Sequence, residues 1–442
     1  VSDQSDDGLG RNENRLIELG NQIDRSTGST GKSNRHGRPR SRHRRQRWST
    51  KRKIVTALAT IVLLLGGLAT GGYLYLHYEW GRVHKIACTS CTDAASGKPF
   101  NVLVIGSDTR AGNTGQAAQS FGSASAVGGQ RSDTIKIVRV DPSSGAARIL
   151  SIPRDTYVTM SGLAESSGLT GAQKINTAFN NGPNALIETI QNTFGIPINH
   201  FIVVDFNGVI DSVNALHGIN LDFKYPVRDD NDGVNESGLN ITKTGCQTLS
   251  GNQAVALSRS RYYEYYANGE WQMDPGYDIS RISRQNTIIK AMIKKAGATY
   301  NPLTLQSLIS AVVNDVSVDK KMSPGLMYDL AERYHAFSAS SLKTLTLPTT
   351  GVYDAYGSAV EVVSTQLTPT YIDAITQFLG NSPLAVSTPP LGQDGNPVTV
   401  PAPTVAPATA TPPPISSVPK RATTTTTAPS TSVTPSYDPT IC

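Results

Sequence analysis

Cysteine is scarce in this 442-residue chain: positions 88, 91, 246 and 442 hold all of it. The Cys88-x-x-Cys91 pair reads as a redox motif, a zinc half-site or a local disulfide. A closed zinc site needs two more ligands, which Cys246 and Cys442 are poorly spaced to supply. Structural disulfides are the favoured reading, with the pairing open. Apolar residues are almost missing from two long stretches. Arg35 to Lys53 is basic and polar, and from about Ser382 onward the chain is Pro, Thr, Ala and Ser with little to bury. Neither can support a packed core, so the two or three domains that the length alone allows are excluded. No internal repeat is visible.

Charge is absent from Ile54 to Leu76, a run of 23 residues. At about 1.5 Å of rise per residue such a helix crosses a hydrocarbon layer of roughly 30 Å. Tyr73, Tyr75, Tyr78 and Trp80 gather at its far end, as in an interfacial aromatic belt. Ten basic residues precede it from Arg35 on, and only Arg82 and Lys85 follow closely, which places the N-terminus in the cytoplasm and the rest outside. A small-residue cleavage site is lacking after the run, which argues against a signal peptide. Residues 1–53 hold fourteen basic and six acidic side chains, so the high isoelectric point belongs to this tail. It has no aromatic interleaving and no folded module to read bases. Nucleic acid is therefore not the expected partner, and the anionic cytoplasmic leaflet is the plainer one. The expected organisation is a basic cytoplasmic tail (1–53), a transmembrane helix (54–76), an extracellular linker (77–99), a folded domain (100–382) and a disordered Pro/Thr-rich tail (383–442). At an oxidising outer face, all four cysteines can form disulfides.

Within the folded domain, "NVLVIGSDTR" starts as a buried strand that ends at Gly106. Thr134–Val140 and Ala146–Ile152 read as strands joined by the turn "DPSSG", hence an antiparallel hairpin. Helical spacing follows over 182–195, a strand over 200–206, a helix over 207–218, a strand over 219–223 and a helix capped by Ser250. Asp278 to Ala296 is amphipathic, with Ile282, Ile289 and Ile293 on one stripe. Helices are expected at Leu303–Val313, Gly325–Tyr334 and Thr368–Leu379, and a strand at Lys343–Leu347. Alternating strands and helices predict an α/β sandwich with helices on both faces.

Arginines and aspartates collect at the ends of these elements: Asp108, Arg110, Arg131, Asp133, Arg154, Asp155, Arg259, Arg261, Asp278, Arg281, Arg284 and Gln285 beside them. The entry of one hairpin strand lies beside the exit of the other, so Arg131, Asp133, Arg154 and Asp155 can meet. So many guanidinium groups repel one another unless carboxylates or a bound anion compensate them, and their planar forks match phosphate oxygens. Asp108 and Asp133 offer the hard oxygens that Mg²⁺ takes together with water and phosphate. These are the parts of phosphoryl transfer.

The succession "VLVIGSDTR", "QRSDTIKIVRVDP", "ILSIPRDTYV", "KINTAFNNGP", "GCQTLSGNQAVALSRSRY" and "DISRISRQ" resembles the motifs of the LytR-CpsA-Psr family, in order, over roughly Asn101 to Ala296. The resemblance implies an αβα sandwich with a central mixed sheet, and a membrane-anchored phosphotransferase. Such an enzyme moves a glycopolymer from a polyprenyl-pyrophosphate carrier to a muramyl 6-hydroxyl of peptidoglycan and releases polyprenyl phosphate. By motif, Asp108 and Asp133 would bind Mg²⁺ (or Mn²⁺), and Arg110, Arg131, Arg154, Arg259, Arg261, Arg281, Arg284 and Gln285 the pyrophosphate. The catalytic set would be Asp133, Asp155, Arg154 and Arg259, with Asp133 ahead of Asp155 as base. Val209, Leu216, Ile288 and Ile289 would line a prenyl tunnel or simply form core. Two features depart from the pattern: the long Gly/Ser-rich loop Ala111–Gln130, and the aromatic segment Tyr262–Tyr277, which reads as a glycan-binding lip or a loop packed on its own rings. The alternatives to the ligase are a prenyl-pyrophosphate-binding regulator, which would not need the metal ligands, and a pyrophosphatase, which shares every residue.

Overall fold

The computed structural model describes residues 70–107, 132–160, 171–298, 307–398 and 437–442, apart from 76, 311–312, 335–336, 355 and 366–368. Asp108, Arg110 and Arg131 lie outside the described residues, as do the basic tail and most of the apolar run 54–76. Among the described residues no helix is long and apolar enough to cross a membrane.

Seven strands form the central sheet: β1 (His84–Ile86), β2 (Phe100–Ser107), β3 (Ser132–Asp141), β4 (Ala146–Ile152), β5 (His200–Val204), β6 (Val316–Asp319) and β7 (Lys343–Thr346). Their order is β1-β6-β5-β2-β3-β4-β7. β2 runs parallel to β5 and antiparallel to β3, and β4 runs antiparallel to β3 and parallel to β7, so the sheet is mixed. A strand covered on both faces reads as a continuous apolar run, which is why "NVLVI" shows no alternation.

On one face Leu103, Ile105, Ile137 and Leu150 pack under helices α1 (Pro183–Phe194) and α6 (Tyr371–Leu379). On the other, Ala147 and Ile149 meet Ile289 and Ile293 of the long helix α4 (Tyr277–Ala298). The three-layer α/β sandwich with a mixed central sheet is thus present. α5 (Pro324–Tyr334) lies near the β1 edge, where Leu326 and Leu330 pack against Val318 of β6.

α4 also closes a second core. There α2 (Phe206–Ala215) and α3 (Gly251–Arg259) join two small sheets, one of Ile219–Phe223, Gly245–Leu249 and Thr440–Ile441, the other of Asn240–Ile241, Val227–Asp229, Tyr263–Ala267 and Glu270–Met273. Ile288 and Leu216 are buried and Ile289 packs on the main sheet. The segment that reads as an aromatic loop is a hairpin. Tyr266 pairs with Trp271 across a turn in which Asn268 and Gly269 both have positive φ, the twist-matched geometry that the Asn-Gly dipeptide favours.

The end of the chain differs from the sequence reading. Leu384 donates to the Gly195 carbonyl at 2.9 Å and Leu391 is buried, so packing continues past residue 382. Residues 437–442 return to the domain: Thr440 and Ile441 pair with Asp222 and Leu221, and Cys442 is bonded to Cys246. Cys88 bonds to Cys91. Both pairs are structural disulfides, and no described cysteine is free for zinc.

Candidate functional site

The site forms where β3 begins and β4 ends. β2 and β3 change register between Gly106 and Ser107. A Cβ on Gly106 would sit 2.8 Å from the Thr134 Cβ, so only glycine lets the β3 entry lie so close to β2. At the exit of β4, Thr156 donates its backbone N–H and its hydroxyl to the Pro153 carbonyl, and the Asn176 N–H donates to the Arg154 carbonyl at 3.1 Å. These bonds fix the Arg154–Asp155 turn against the segment that begins with Lys174.

Arg154 is the hub. Its Nη1 donates to Asp133 Oδ1 at 2.6 Å, and its Nε lies 3.4 Å from Asp155 Oδ2 and 3.5 Å from Asp278 Oδ2. Asp278, in the first turn of α4, accepts from Arg281 Nη2 at 3.0 Å. Arg261, just past α3, is 3.8 Å from Asp133 Oδ1, and Lys174 Nζ is 3.3 Å from Asp155 Oδ1. Asp133, Arg154 and Asp155 therefore converge across the hairpin, as the antiparallel pairing predicts.

The cavity around them, of about 550 Å³, is lined by five cations (Arg154, Lys174, Arg259, Arg261, Arg281) and four carboxylates (Asp133, Asp155, Asp229, Glu236), with Gln285 among the neutral groups. Arg259 closes α3, which starts on a Ser250/Gln253 capping box, and its guanidinium lies 4.8 Å from the Phe206 ring. Gln285 Nε2 donates to the Ser258 carbonyl.

The electrostatics follow from burial. Burial pushes the Asp133 carboxyl upward, but Arg154, Arg281 and Arg261 outweigh it and hold Asp133 below the usual range. Burial lowers Arg281 to about 10 despite Asp278 beside it. For Arg154 burial is outweighed by Asp155, Asp278 and Asp133, so its affinity for the proton rises. The buried Nε atoms of Arg154 and Arg281 find no hydrogen-bond acceptor among the described residues, which marks donors that a bound oxyanion could satisfy.

Arg284 requires a correction. It is fully buried away from the cavity, with Nη1 bonded to Asp274 Oδ2 at 2.6 Å and Asp438 Oδ1 at 3.0 Å, Nη2 donating to the Ser260 carbonyl, and its guanidinium 4.1 Å from the Tyr263 ring. Two aspartates sink it, one supplied by residues 437–442, so it cannot serve a pyrophosphate. The sequence reading also missed Lys174, Asn176 and Asn180, although "KINTAFNN" carried them as one polar cluster, and it missed Asp229 and Glu236. Of the expected metal pair only Asp133 is described, because Asp108 lies outside the described residues; among those described no three acidic, His or Cys groups cluster to hold an ion.

Fold and cavity together define an α/β domain with an arginine-rich cleft at the ends of its central strands. The chain belongs to the LytR_cpsA_psr family, whose model matches residues 77–371. It is 29% identical over 258 residues to TagV of Bacillus subtilis (strain 168), a polyisoprenyl-teichoic acid–peptidoglycan teichoic acid transferase, and the match covers 58% of each chain. TagU of Bacillus anthracis, of the same description, is 27% identical over 299 residues, 64% of this chain and 84% of TagU. In fold it is similar to a LytR-Csp2A-Psr enzyme from Actinomyces oris (TM-score 0.51, 22% identity, 68% of this chain and 97% of that one). A Streptococcus agalactiae protein gives a TM-score of 0.52 at 23% identity, over 66% and 92%.

Proposed function

We propose that this domain is a cell-envelope phosphotransferase that takes a glycopolymer from a polyprenyl-pyrophosphate carrier and attaches it to a peptidoglycan hydroxyl. The run 54–76 anchors it in the membrane and the domain lies outside the cell. The relatives TagV and TagU, both polyisoprenyl-teichoic acid–peptidoglycan teichoic acid transferases, support the transfer to peptidoglycan. The observation that carries the donor assignment is the convergence of Arg154, Arg259, Arg261 and Arg281 on one cavity, with two buried guanidinium Nε donors unsatisfied.

In this reading the acceptor oxygen forms a bond to the phosphorus that bears the sugar, and the bond from that phosphorus to the bridging oxygen breaks. Polyprenyl phosphate then departs with the electron pair. Arg154 and Arg281 neutralise charge on the non-bridging oxygens, and Arg259 and Arg261 hold the departing phosphate. Asp133, surrounded by guanidinium groups and held below the usual carboxylate range, is a weak proton acceptor. We therefore assign the acceptor's proton to Asp155, beside Lys174, and leave Asp133 to ion binding, which reverses the order drawn from the sequence.

Mg²⁺ fits that role. Arg154, Arg261 and Arg281 already lie beside carboxylates, so an incoming pyrophosphate must displace these or arrive with a cation, and Asp133 supplies the hard oxygen. With Asp108 as second ligand, the ion would offset phosphate charge. Chelation is expected to stop transfer, and Mg²⁺ or Mn²⁺ to restore it; unchanged turnover in excess chelator would remove the metal from the mechanism.

The donor is tested by mass spectrometry of lipid extracted from the purified protein. Polyprenyl phosphate or pyrophosphate should co-purify with the wild type. A cavity that is empty and takes up no added prenyl pyrophosphate would overturn the assignment.

A further inference from the structure

Lys136 lies on β3, three residues past Asp133, behind the arginine cavity, and the residue is only 2% exposed. Its Nζ donates to Asn286 Oδ1 at 2.7 Å and to Ser151 Oγ at 2.9 Å, both neutral. Its cross-strand neighbours are Val104 on β2 and Ser151 on β4. From the other side α4 brings Asn286, Arg281 about one turn earlier and Lys290 one turn later. The two charged groups are cations: Arg281 lines the cavity, and Lys290 bonds to Thr344.

Two acceptors match the two hydrogens of a neutral amine, whereas an ammonium brings a third N–H. A buried ammonium beside another cation is costly, and losing the proton relieves the cost. Burial, reinforced by Arg281, accordingly lowers Lys136 to about 7.

We propose that Lys136 is a positioning residue that couples substrate binding to a proton: its amine takes up a solvent proton when pyrophosphate enters the cavity and releases it when the product leaves. The step is a simple protonation, in which the Nζ lone pair accepts H⁺ and no other bond changes. An anion on Arg281 cancels the field that disfavours the ammonium and adds attraction of its own. The charge gained at Lys136 then steadies Asn286, which follows Gln285 of the cavity wall. The inference rests on the reading of the cavity as a pyrophosphate site.

The sign is fixed by the empty cavity, where Lys136 is protonated below about pH 6 and neutral well above pH 7. Uptake is therefore absent in acid. It appears as the pH rises through 7, and over that range pyrophosphate affinity falls with pH until the bound-state value is passed.

The test is calorimetry of inorganic pyrophosphate binding to the full chain in buffers of different ionisation heat, for the wild type and Lys136→Met. Protonation of pyrophosphate itself is common to both, so the difference isolates Lys136. The wild type should take up about half a proton more near pH 7, and its affinity should depend more steeply on pH. Equal uptake with intact binding overturns the proposal and leaves the pyrophosphate site standing; no binding by the wild type overturns the site reading itself. Nitrogen NMR of the wild-type lysine Nζ provides a measurement without a variant. Its signal should titrate near pH 7 and shift to higher pH with pyrophosphate, and an ammonium signal constant from pH 6 to 9 would also sink the idea.

Discussion

Arg154→Ala should lower glycopolymer transfer by roughly a hundred- to a thousandfold, the range seen when one preorganised donor to a developing anion is removed. Arg154 joins Asp133, Asp155 and Asp278, which come from the hairpin and from α4. Without it three carboxylates face one another with less compensation, and Asp133 becomes easier to protonate as its largest attractive partner disappears. Arg154→Lys keeps a charge but not the planar fork, so it should recover only part of the rate. The fold should persist, because the sheet and its apolar layers do not depend on this side chain. Activity of lipid-linked donor with peptidoglycan, measured beside a thermal melt, separates the two effects. Wild-type turnover by the alanine variant would remove Arg154 from the chemistry.

Cys442→Ser should cost far more stability than Cys88→Ser. The Cys246–Cys442 bond joins residues 196 apart. Long closures constrain the unfolded chain most, and loss of such a bridge typically costs about 2–5 kcal/mol. Its loss also frees Thr440 and Ile441 from Ile219–Phe223 and loosens Asp438 on the buried Arg284, where an unpaired charge is expensive. Cys88→Ser is the control: that bridge spans a separation of 3 and should change the melting temperature much less. Equal melting of Cys442→Ser and wild type, with or without reductant, would overturn this account.

Local signals made the central layers legible. The hairpin of β3 and β4 was readable from two apolar runs around a turn, and Ser250 from its capping sequence, and each appears within a residue or two of its expected place. The hairpin at Asn268-Gly269 is written in that dipeptide and its flanking alternation, but the density of tyrosine masks the period. Other features depend on partners far along the chain. Arg284 looks like a cavity arginine on α4, and only Asp438, 154 residues later, explains its burial. Asp229 and Glu236 reach the cavity through a small sheet whose pairing no single segment encodes. β6, four residues long, is too short for its period to stand out.

The place of Thr440–Ile441 in a sheet sets an order of events in biogenesis. Ile219–Phe223 can pair with Gly245–Leu249 soon after both are made, but its other edge stays open until its partners Thr440 and Ile441, far later in the chain, arrive. During that interval an unpaired strand edge is exposed, a hazard for association with other chains. Completion also needs an oxidant that meets Cys246 and Cys442 together. Maturation of this domain is thus tied to late chain delivery and to the thiol-oxidising capacity of its compartment. Removing residues 437–442 would leave a cell with protein that is made but never finished.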